Sequence, residues 1–143
     1  MTAYNSTQLT ANPASGFGHG LAGNVKVAYS AVAVPATFTT TDTANMHDLP
    51  VGARVIYSIL ESTDLDTATT ITLNVGDAGS ATRYFSASTV SQAATSGVST
   101  TTGGIAYSNA AKTRVTVVPA AGPATTAGTI TLMQLYIVEG APS

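Results

Sequence analysis

The chain contains no cysteine and no tryptophan, and only 8% of its 143 residues are charged. The lack of cysteine excludes disulfide bonds, thiolate metal sites and a thiol nucleophile. The five basic residues stand singly along the chain, whereas nucleic-acid-binding proteins cluster their cations to displace counterions from phosphates. We therefore expect no direct binding to DNA or RNA.

Long hydrophobic runs and an export signal are also missing. No window approaches the ~20 apolar residues of a membrane-spanning helix. Residues 1–23 have neither the basic start nor the apolar core of a signal peptide. We expect a protein that is made in the cytoplasm, does not enter a membrane and is not exported by the general secretory route.

Threonine, alanine, serine and glycine take the place of the missing charges, with 25 threonines and a hydrophobic share of 44%. Threonine has a branched Cβ that favours extended backbone, and the content of apolar residues is too high for a disordered chain. The composition predicts a folded, β-rich protein. Low charge also means weak electrostatic repulsion between molecules. The composition therefore suits either a subunit packed against other proteins or a small neutral soluble domain.

The chain divides into two parts. Residues 1–23 are polar and glycine-rich, without a sustained period of 2 or 3.6, and they predict either an extended arm that becomes ordered against a partner or a frayed tail. Residues 24–143 carry the strand patterns and form one domain of ordinary size.

Alternating apolar and polar residues predict about eight antiparallel strands and no helix. In TTITLNV, Ile71, Leu73 and Val75 face inward, and Val115 and Val117 do so in KTRVTVV. The last run, TITLMQLYIVE, is apolar on both faces, as expected for a central strand or a strand against another subunit. The other predicted strands are NVKVAYSAVAV, residues 37–41, VGARVIYSILES, residues 82–87 and IAYS.

The remaining segments are assigned to connections. We expect a loop at residues 41–52 (TDTANMHDLPVG), a long loop or a polar edge at residues 88–104, and a turn-rich connector at residues 119–128. The strand spacing and the number of turns favour an antiparallel β-sandwich, jelly-roll-like, over a closed barrel.

The stretch LNVGDAGSATRYF comes closest to a catalytic or ligand-binding loop, with Asp77 between two glycines and Arg83 beside Tyr84. A phosphate-binding loop needs GxxxxGK[ST] before a helix, and a calcium loop needs oxygen ligands at alternate positions. Neither pattern is present. We interpret the stretch as a turn between two strands.

Two other groups of residues are candidates for chemical sites. Asp64 and Asp66, with Glu61 nearby, suit either a hard cation or an exposed hairpin tip whose aspartates cap their own backbone amides; the hairpin tip is favoured. His19 and His47 are too few for zinc without cysteine. No G-x-S-x-G elbow accompanies His47 and its neighbour Asp48. We therefore expect no catalytic, cofactor-binding or metal-binding residues.

The aromatic residues are expected to pack in the core. Carbohydrate-binding sandwiches usually present exposed aromatic platforms, often tryptophan. Here Tyr84, Phe85, Tyr107 and Tyr136 lie at positions expected to face inward. A carbohydrate-binding module remains an alternative function.

Residues 51–138 resemble the β-sandwich of small head-decoration, or cement, proteins of tailed bacteriophages. The likeness lies in LNVGDAGSATRYFSAST, GGIAYSNAAKTRVTVVP and TAGTITLMQLYIVEG, and it covers about three-fifths of the chain. It implies a virion protein without enzymatic activity or cofactor that binds the major capsid protein on the outer capsid surface, often as a trimer. The alternative within the virion is a tail, baseplate or fibre component.

Two segments are candidates for contacts within such an assembly. The outward apolar residues of the last strand, Met133, Leu135 and Ile137, are the candidate interface between subunits. The arm of residues 1–23 is a candidate for adding a strand to the sheet edge of a capsid protein.

Overall fold

The computed structural model describes residues 25–99 and 107–138. Within these ranges the regular structure consists of eight strands and one short 3₁₀ turn, Val90–Gln92. The strands are β1 (Lys26–Val34), β2 (Ala44–Leu49), β3 (Ala53–Ser62), β4 (Thr72–Asp77), β5 (Ser80–Ser88), β6 (Ser96–Ser99), β7 (Thr113–Ala121) and β8 (Gly128–Val138). The all-β prediction and the number of strands are confirmed.

The strands form two four-stranded antiparallel sheets. Sheet A has the order β1-β8-β3-β6 and sheet B the order β2-β7-β4-β5. Strand β1 therefore pairs with β8, β2 with β7, β3 with β6, and β4 with β5. This is a long antiparallel hairpin rolled into two layers, which is the jelly-roll arrangement predicted from the sequence.

The core lies between the sheets and is filled by the inward residues of each alternating strand. Five residues in β4, in β7 and directly before β4 are predicted to face inward, and all five are fully buried: Ile71, Leu73, Val75, Val115 and Val117. Strand β8 lies centrally in sheet A, between β1 and β3, as its two apolar faces predicted.

The prediction for residues 37–52 is wrong. Residues 37–41 form turns closed by backbone hydrogen bonds from Phe38 to Pro35 and from Asp42 to Thr39, and the predicted loop contains β2. Strand β2 pairs only with β7 in sheet B, and a bulge between Asn45 and Asp48 breaks its alternation. Because of the bulge, the alternation of apolar and polar residues in β2 extends over too few residues to indicate a strand.

Two predicted connections are shorter than expected. The segment of residues 88–104 contains the 3₁₀ turn and β6, which is an edge strand of sheet A, so the alternative of a polar edge is confirmed for that strand. Strand β7 continues to Ala121, into the predicted connector of residues 119–128. The arm of residues 1–23 and His19 lie outside the described residues.

The sandwich has two ends, which the connections define. Strand β1 begins and β8 ends at what we call the termini end, together with the β2–β3 and β4–β5 connections and the start of β7. The β1–β2, β3–β4, β5–β6 and β7–β8 connections lie at the opposite, loop end. In the described part of the chain no helix has the length and apolar character needed to cross a membrane.

Candidate functional site

Strand β8 places the three candidate interface residues on the outer face of sheet A. Leu132 and Gln134 are fully buried on the inner side, and the alternation of the strand turns Met133, Leu135 and Ile137 to the other side, where each is partly exposed. This outward orientation agrees with the alternation of the sequence. Their role in a subunit contact stays a prediction.

The neighbouring strands extend this surface across the whole sheet. Met133 lies opposite Tyr29 of β1 and Ile59 of β3, and Ile59 lies opposite Val98 of β6. Tyr29 is 66% exposed and Val98 61% exposed. Leu135 has Val27 and Tyr57 as its partners in the same way. We call this surface the apolar face; it consists of Val27, Tyr29, Tyr57, Ile59, Val98, Met133, Leu135 and Ile137.

The apolar face is a candidate protein-contact surface because monomeric proteins rarely expose a contiguous apolar surface across a whole sheet. The sequence pattern of β8 predicts its three outward residues, whereas the pattern of β1 does not single out Val27 and Tyr29. Strand β1 is apolar on both sides, with Val32 and Val34 facing the core, so its periodicity does not show which side is covered. The outward apolar residues of two predicted neighbouring strands would have been the signal.

His47 lies between the sheets and not in a loop. Its Nδ1 atom is 2.9 Å from Ser30 Oγ of β1, and its Nε2 atom is 2.8 Å from Gln134 Oε1 of β8. Gln134 Nε2 donates to Ser58 Oγ at 2.9 Å, so Gln134 Oε1 accepts from the ring N–H at Nε2 and Ser30 donates to Nδ1. This chain of hydrogen bonds satisfies the fully buried Gln134 and joins the open edges of the two sheets.

The arrangement is unsuited to a catalytic triad. Asp48 points to the surface, where Arg114 Nε and Lys112 Nζ bind its carboxylate, and Arg114 holds its pKa well below the ordinary range. The group that orients the imidazole of His47 is the neutral amide of Gln134. Burial lowers the pKa of His47 below 6.5, against smaller opposing effects of Gln134 and Asp48. The imidazole is thus held as a neutral structural link.

Asp66 forms a closed anion site inside the β3–β4 connection. Its carboxylate accepts hydrogen bonds from the backbone N–H groups of Ala68, Thr70 and Ile71, at 2.9, 2.5 and 2.9 Å. Hydroxyl groups of Thr70 and Thr125 complete the set. These donors, the Ala68 amide first, hold the pKa of Asp66 well below its ordinary range.

The predicted capping role of the aspartates is confirmed, but Asp66 is fully buried and not at an exposed tip. Asp64 is exposed and caps the backbone N–H of Asp66 at 3.0 Å. The donors around Asp66 occupy the oxygens that a cation would need. Among residues 25–99 and 107–138, no group of three or more His, Asp or Glu side chains is placed to hold a metal ion.

The GDAG stretch is the tight turn between β4 and β5, as predicted. Asp77 Oδ1 accepts from the backbone N–H groups of Gly79 and Ser80 at 2.9 and 3.0 Å. A Cβ atom on Gly76 would lie 2.0 Å from the Ser80 carbonyl oxygen, so only glycine fits there. Arg83 Nε donates to Asp77 Oδ2 at 2.7 Å, so both carboxylate oxygens accept hydrogen bonds that hold the turn.

Three of the four aromatic residues expected to face inward contribute to the core, whereas Tyr107 is partly exposed and lies outside it. Tyr84 and Phe85 are buried, and Tyr136 packs against the core. The guanidinium of Arg83 lies 3.4 Å from the ring centroid of Tyr107, a cation–π contact that joins the segment before β7 to the β4–β5 hairpin.

An open groove of about 290 Å³ lies beside the β1–β2 connection. Aliphatic and aromatic side chains, including Val32, Pro35 and Phe38, form most of its lining, and Asp42 contributes the single carboxylate. Asp42 Oδ2 already accepts from the backbone N–H and the hydroxyl of Thr39. The groove is open and lacks the enclosure typical of small-molecule sites.

Chains of several solved structures are similar to this one, while no protein-family model and no curated protein matches it. A chain of the "Cyanophage Pam1 capsid asymmetric unit" is 47% identical, with a TM-score of 0.79 over 96% of this chain and 99% of that one. A chain of the "Capsid of Ralstonia phage GP4" is 29% identical, with a TM-score of 0.68 over 84% and 87%. A chain of the "Acidic stable capsid structure of Helicobacter pylori bacteriophage KHP30" is 15% identical, with a TM-score of 0.60 over 81% and 89%, and shares the fold.

Proposed function

We propose that this chain binds the outer capsid surface of a phage and stabilises the head. The chain belongs to the same family as the matched chain of the cyanophage Pam1 capsid and is a phage virion structural protein. It would thus be a decoration or cement protein whose partner is the major capsid protein. The observation that carries the proposal is the 47% identity to a capsid chain over 99% of that chain's length.

The geometry supports a structural role. Among the described residues, the side chains that suggested chemistry in the sequence bind other groups of the protein: His47 binds Ser30 and Gln134, Asp66 binds backbone amides, and Asp77 binds Arg83. Each is used to hold connections or sheets together. Bonds that fix the connections and the sheets in this way suit a capsid protein, because its role depends on a fixed surface for contacts with neighbouring proteins.

The apolar face is the proposed contact between copies of the chain, with Met133, Leu135 and Ile137 at its centre and Tyr29 at its exposed margin. Burial of apolar surface stabilises an interface by roughly 25 cal/mol per Å² before the cost of ordering. A trimer is the favoured oligomer. It would cover the surface that sheet A leaves open in a single copy.

The arm of residues 1–23 is proposed to bind the shell by adding a strand to a capsid-protein sheet, where main-chain hydrogen bonds supply affinity. Its attachment point, Val25, lies at the termini end. Deletion of residues 2–23 should reduce occupancy on undecorated capsids, while undiminished occupancy would exclude the arm as an anchor.

The alternative location in the virion is the tail, the baseplate or a fibre. The matches to capsid chains favour the capsid over these locations. Mass spectrometry of separated capsid and tail fractions distinguishes the two. A free carbohydrate-binding module is disfavoured by the capsid matches, and a glycan array with the purified protein tests it.

Reconstitution tests the proposed function directly. Purified full-length protein is added to capsids that lack it, and occupancy is read by sedimentation and by electron microscopy. We expect saturable binding at symmetry-related sites on the outer surface and a higher temperature of capsid disruption. Absence of binding would refute the proposal.

A further inference from the structure

The fold separates the charges of this chain by sign. In the described residues, all five basic side chains lie at or near the termini end, as the strand registers show. Lys26 is the first residue of β1 and Arg54 the second of β3, Arg83 binds the β4–β5 turn, and Lys112 and Arg114 lie at the start of β7.

The acidic side chains are divided differently. Asp48 and Asp77 lie at the termini end, each bound to a basic partner. The other four lie at the loop end: Asp42, Glu61, Asp64 and Asp66. Five positive and two negative charges leave the termini end with a net of three positive charges, against four negative charges at the loop end. Glu139 lies outside the described residues and is not counted.

The two ends act as separate electrostatic surfaces. Strands of nine or ten residues, such as β1 and β3, are about 30 Å long at roughly 3.3 Å per residue. This exceeds the Debye length of about 8 Å at physiological ionic strength. A partner at one end therefore experiences only the charge of that end, although the whole chain carries a net charge of only −2.

We propose that the termini end docks on an acidic protein surface, and that the loop end faces solvent. This inference rests on the proposed function and assigns the orientation of the domain on the shell. Two observations support it. The exposed cations Lys26 and Lys112 are at this end, and Val25, where the arm joins the domain, is at the same end.

Oligomerisation through the apolar face strengthens the effect. In a cyclic oligomer every subunit points the same way along the symmetry axis. The component of the charge separation along that axis therefore has the same sign in every copy and adds up. A cyclic trimer with strands inclined to its axis would present three termini ends on one side. Attraction to an acidic surface would then be multivalent.

A nucleic acid is the competing anionic partner, and the geometry disfavours it. Arg83 is covered by Tyr107 and Asp77, and Arg114 shares Asp48 with Lys112. The remaining positive field is weak and lacks the clustered cations that contact successive phosphates. It suits contact with acidic side chains of a protein.

The test compares two variants that change the net charge equally at opposite ends. Lys26→Gln/Lys112→Gln removes two positive charges from the termini end, and Arg114 remains to bind Asp48. Thr126→Glu/Ala127→Glu adds two negative charges to exposed residues of the β7–β8 connection at the loop end. Thermal unfolding of both variants checks that each remains folded.

Binding to capsids lacking the protein is measured at about 50 and about 300 mM salt. We expect the termini-end variant to raise the half-saturating concentration about five-fold at low salt and less at high salt, while the loop-end variant stays within about two-fold of the parent.

Equal effects of the two variants, or a larger effect at the loop end, would overturn the proposed orientation while leaving the capsid function intact. Failure of the parent protein to bind would reject both. Fluorescence anisotropy with duplex DNA is the last arm. Binding that the termini-end variant weakens would replace the acidic protein with a nucleic acid.

Discussion

His47 Nε2 lies 2.8 Å from Gln134 Oε1, so an edge strand of sheet B is bonded to the central strand of sheet A. The two residues are 87 positions apart in the chain, and the partly buried bond links the two sheets. Because the imidazole is held neutral by burial, this link is sensitive to pH.

We expect stability to decrease as the pH falls below about 6.5, the ordinary pKa of histidine. The folded pKa of His47 is lower than this value because of burial, so the unfolded chain binds the proton first and protonation favours unfolding. The loss begins near the unfolded pKa and levels off below the folded one. Urea unfolding between about pH 7.5 and pH 5.5 measures it.

His47→Gln is the control for this prediction, because glutamine is polar and does not titrate. The variant should show a smaller change of unfolding free energy over the same pH range. Parallel pH profiles in the two proteins would show that other groups cause the dependence.

Asp66→Asn should destabilise the domain more than Asp64→Asn does. Asparagine replaces one acceptor oxygen by an NH₂ group, which would face the backbone N–H donors that now bind the carboxylate. Asp64 caps a single N–H and is exposed, so its replacement costs less. Thermal unfolding of the matched pair is the measurement, and equal melting temperatures would contradict the role of Asp66.

Tyr29→Glu should prevent self-association without unfolding the domain. Tyr29 is 66% exposed, so the folded monomer accommodates a charge there, whereas a buried interface does not. Loss of an aromatic contact worth about 1.5–3 kcal/mol raises the dissociation constant roughly 10- to 100-fold. Sedimentation equilibrium measures the oligomer, and Val51→Glu, an exposed residue outside the apolar face, is the control.

The sequence predicts the central strands better than the edges. Strands β4 and β7 alternate cleanly because each has one side in the core and one side outside it, so the pattern predicts the burial of Leu73 and Val115. Strand β2 is not predicted from the sequence because it is an edge strand with a bulge. Its residues are specified by β7 and by the contacts of His47, which are long-range and leave no local period.

The candidate sites show the same division between local and long-range information. The turn at Asp77 was predictable because its hydrogen bonds reach residues only two and three positions away. The burial of Asp66 depends on Thr125, 59 positions later. The exposure of Tyr29 depends on which side of β1 meets the other sheet, and a strand that is apolar on both sides does not reveal this.

Strand β8 offers a test that separates folding from assembly within one element. Leu132 is fully buried between the sheets, so Leu132→Ala should lower the free energy of unfolding by about 3 kcal/mol through lost burial and a residual cavity. Leu135 lies three residues later on the apolar face and is only partly covered. Leu135→Ala should cost the monomer less but weaken self-association. Denaturation and sedimentation on both variants distinguish these outcomes, and a Leu135 variant that associates like the parent would exclude the apolar face as the subunit contact.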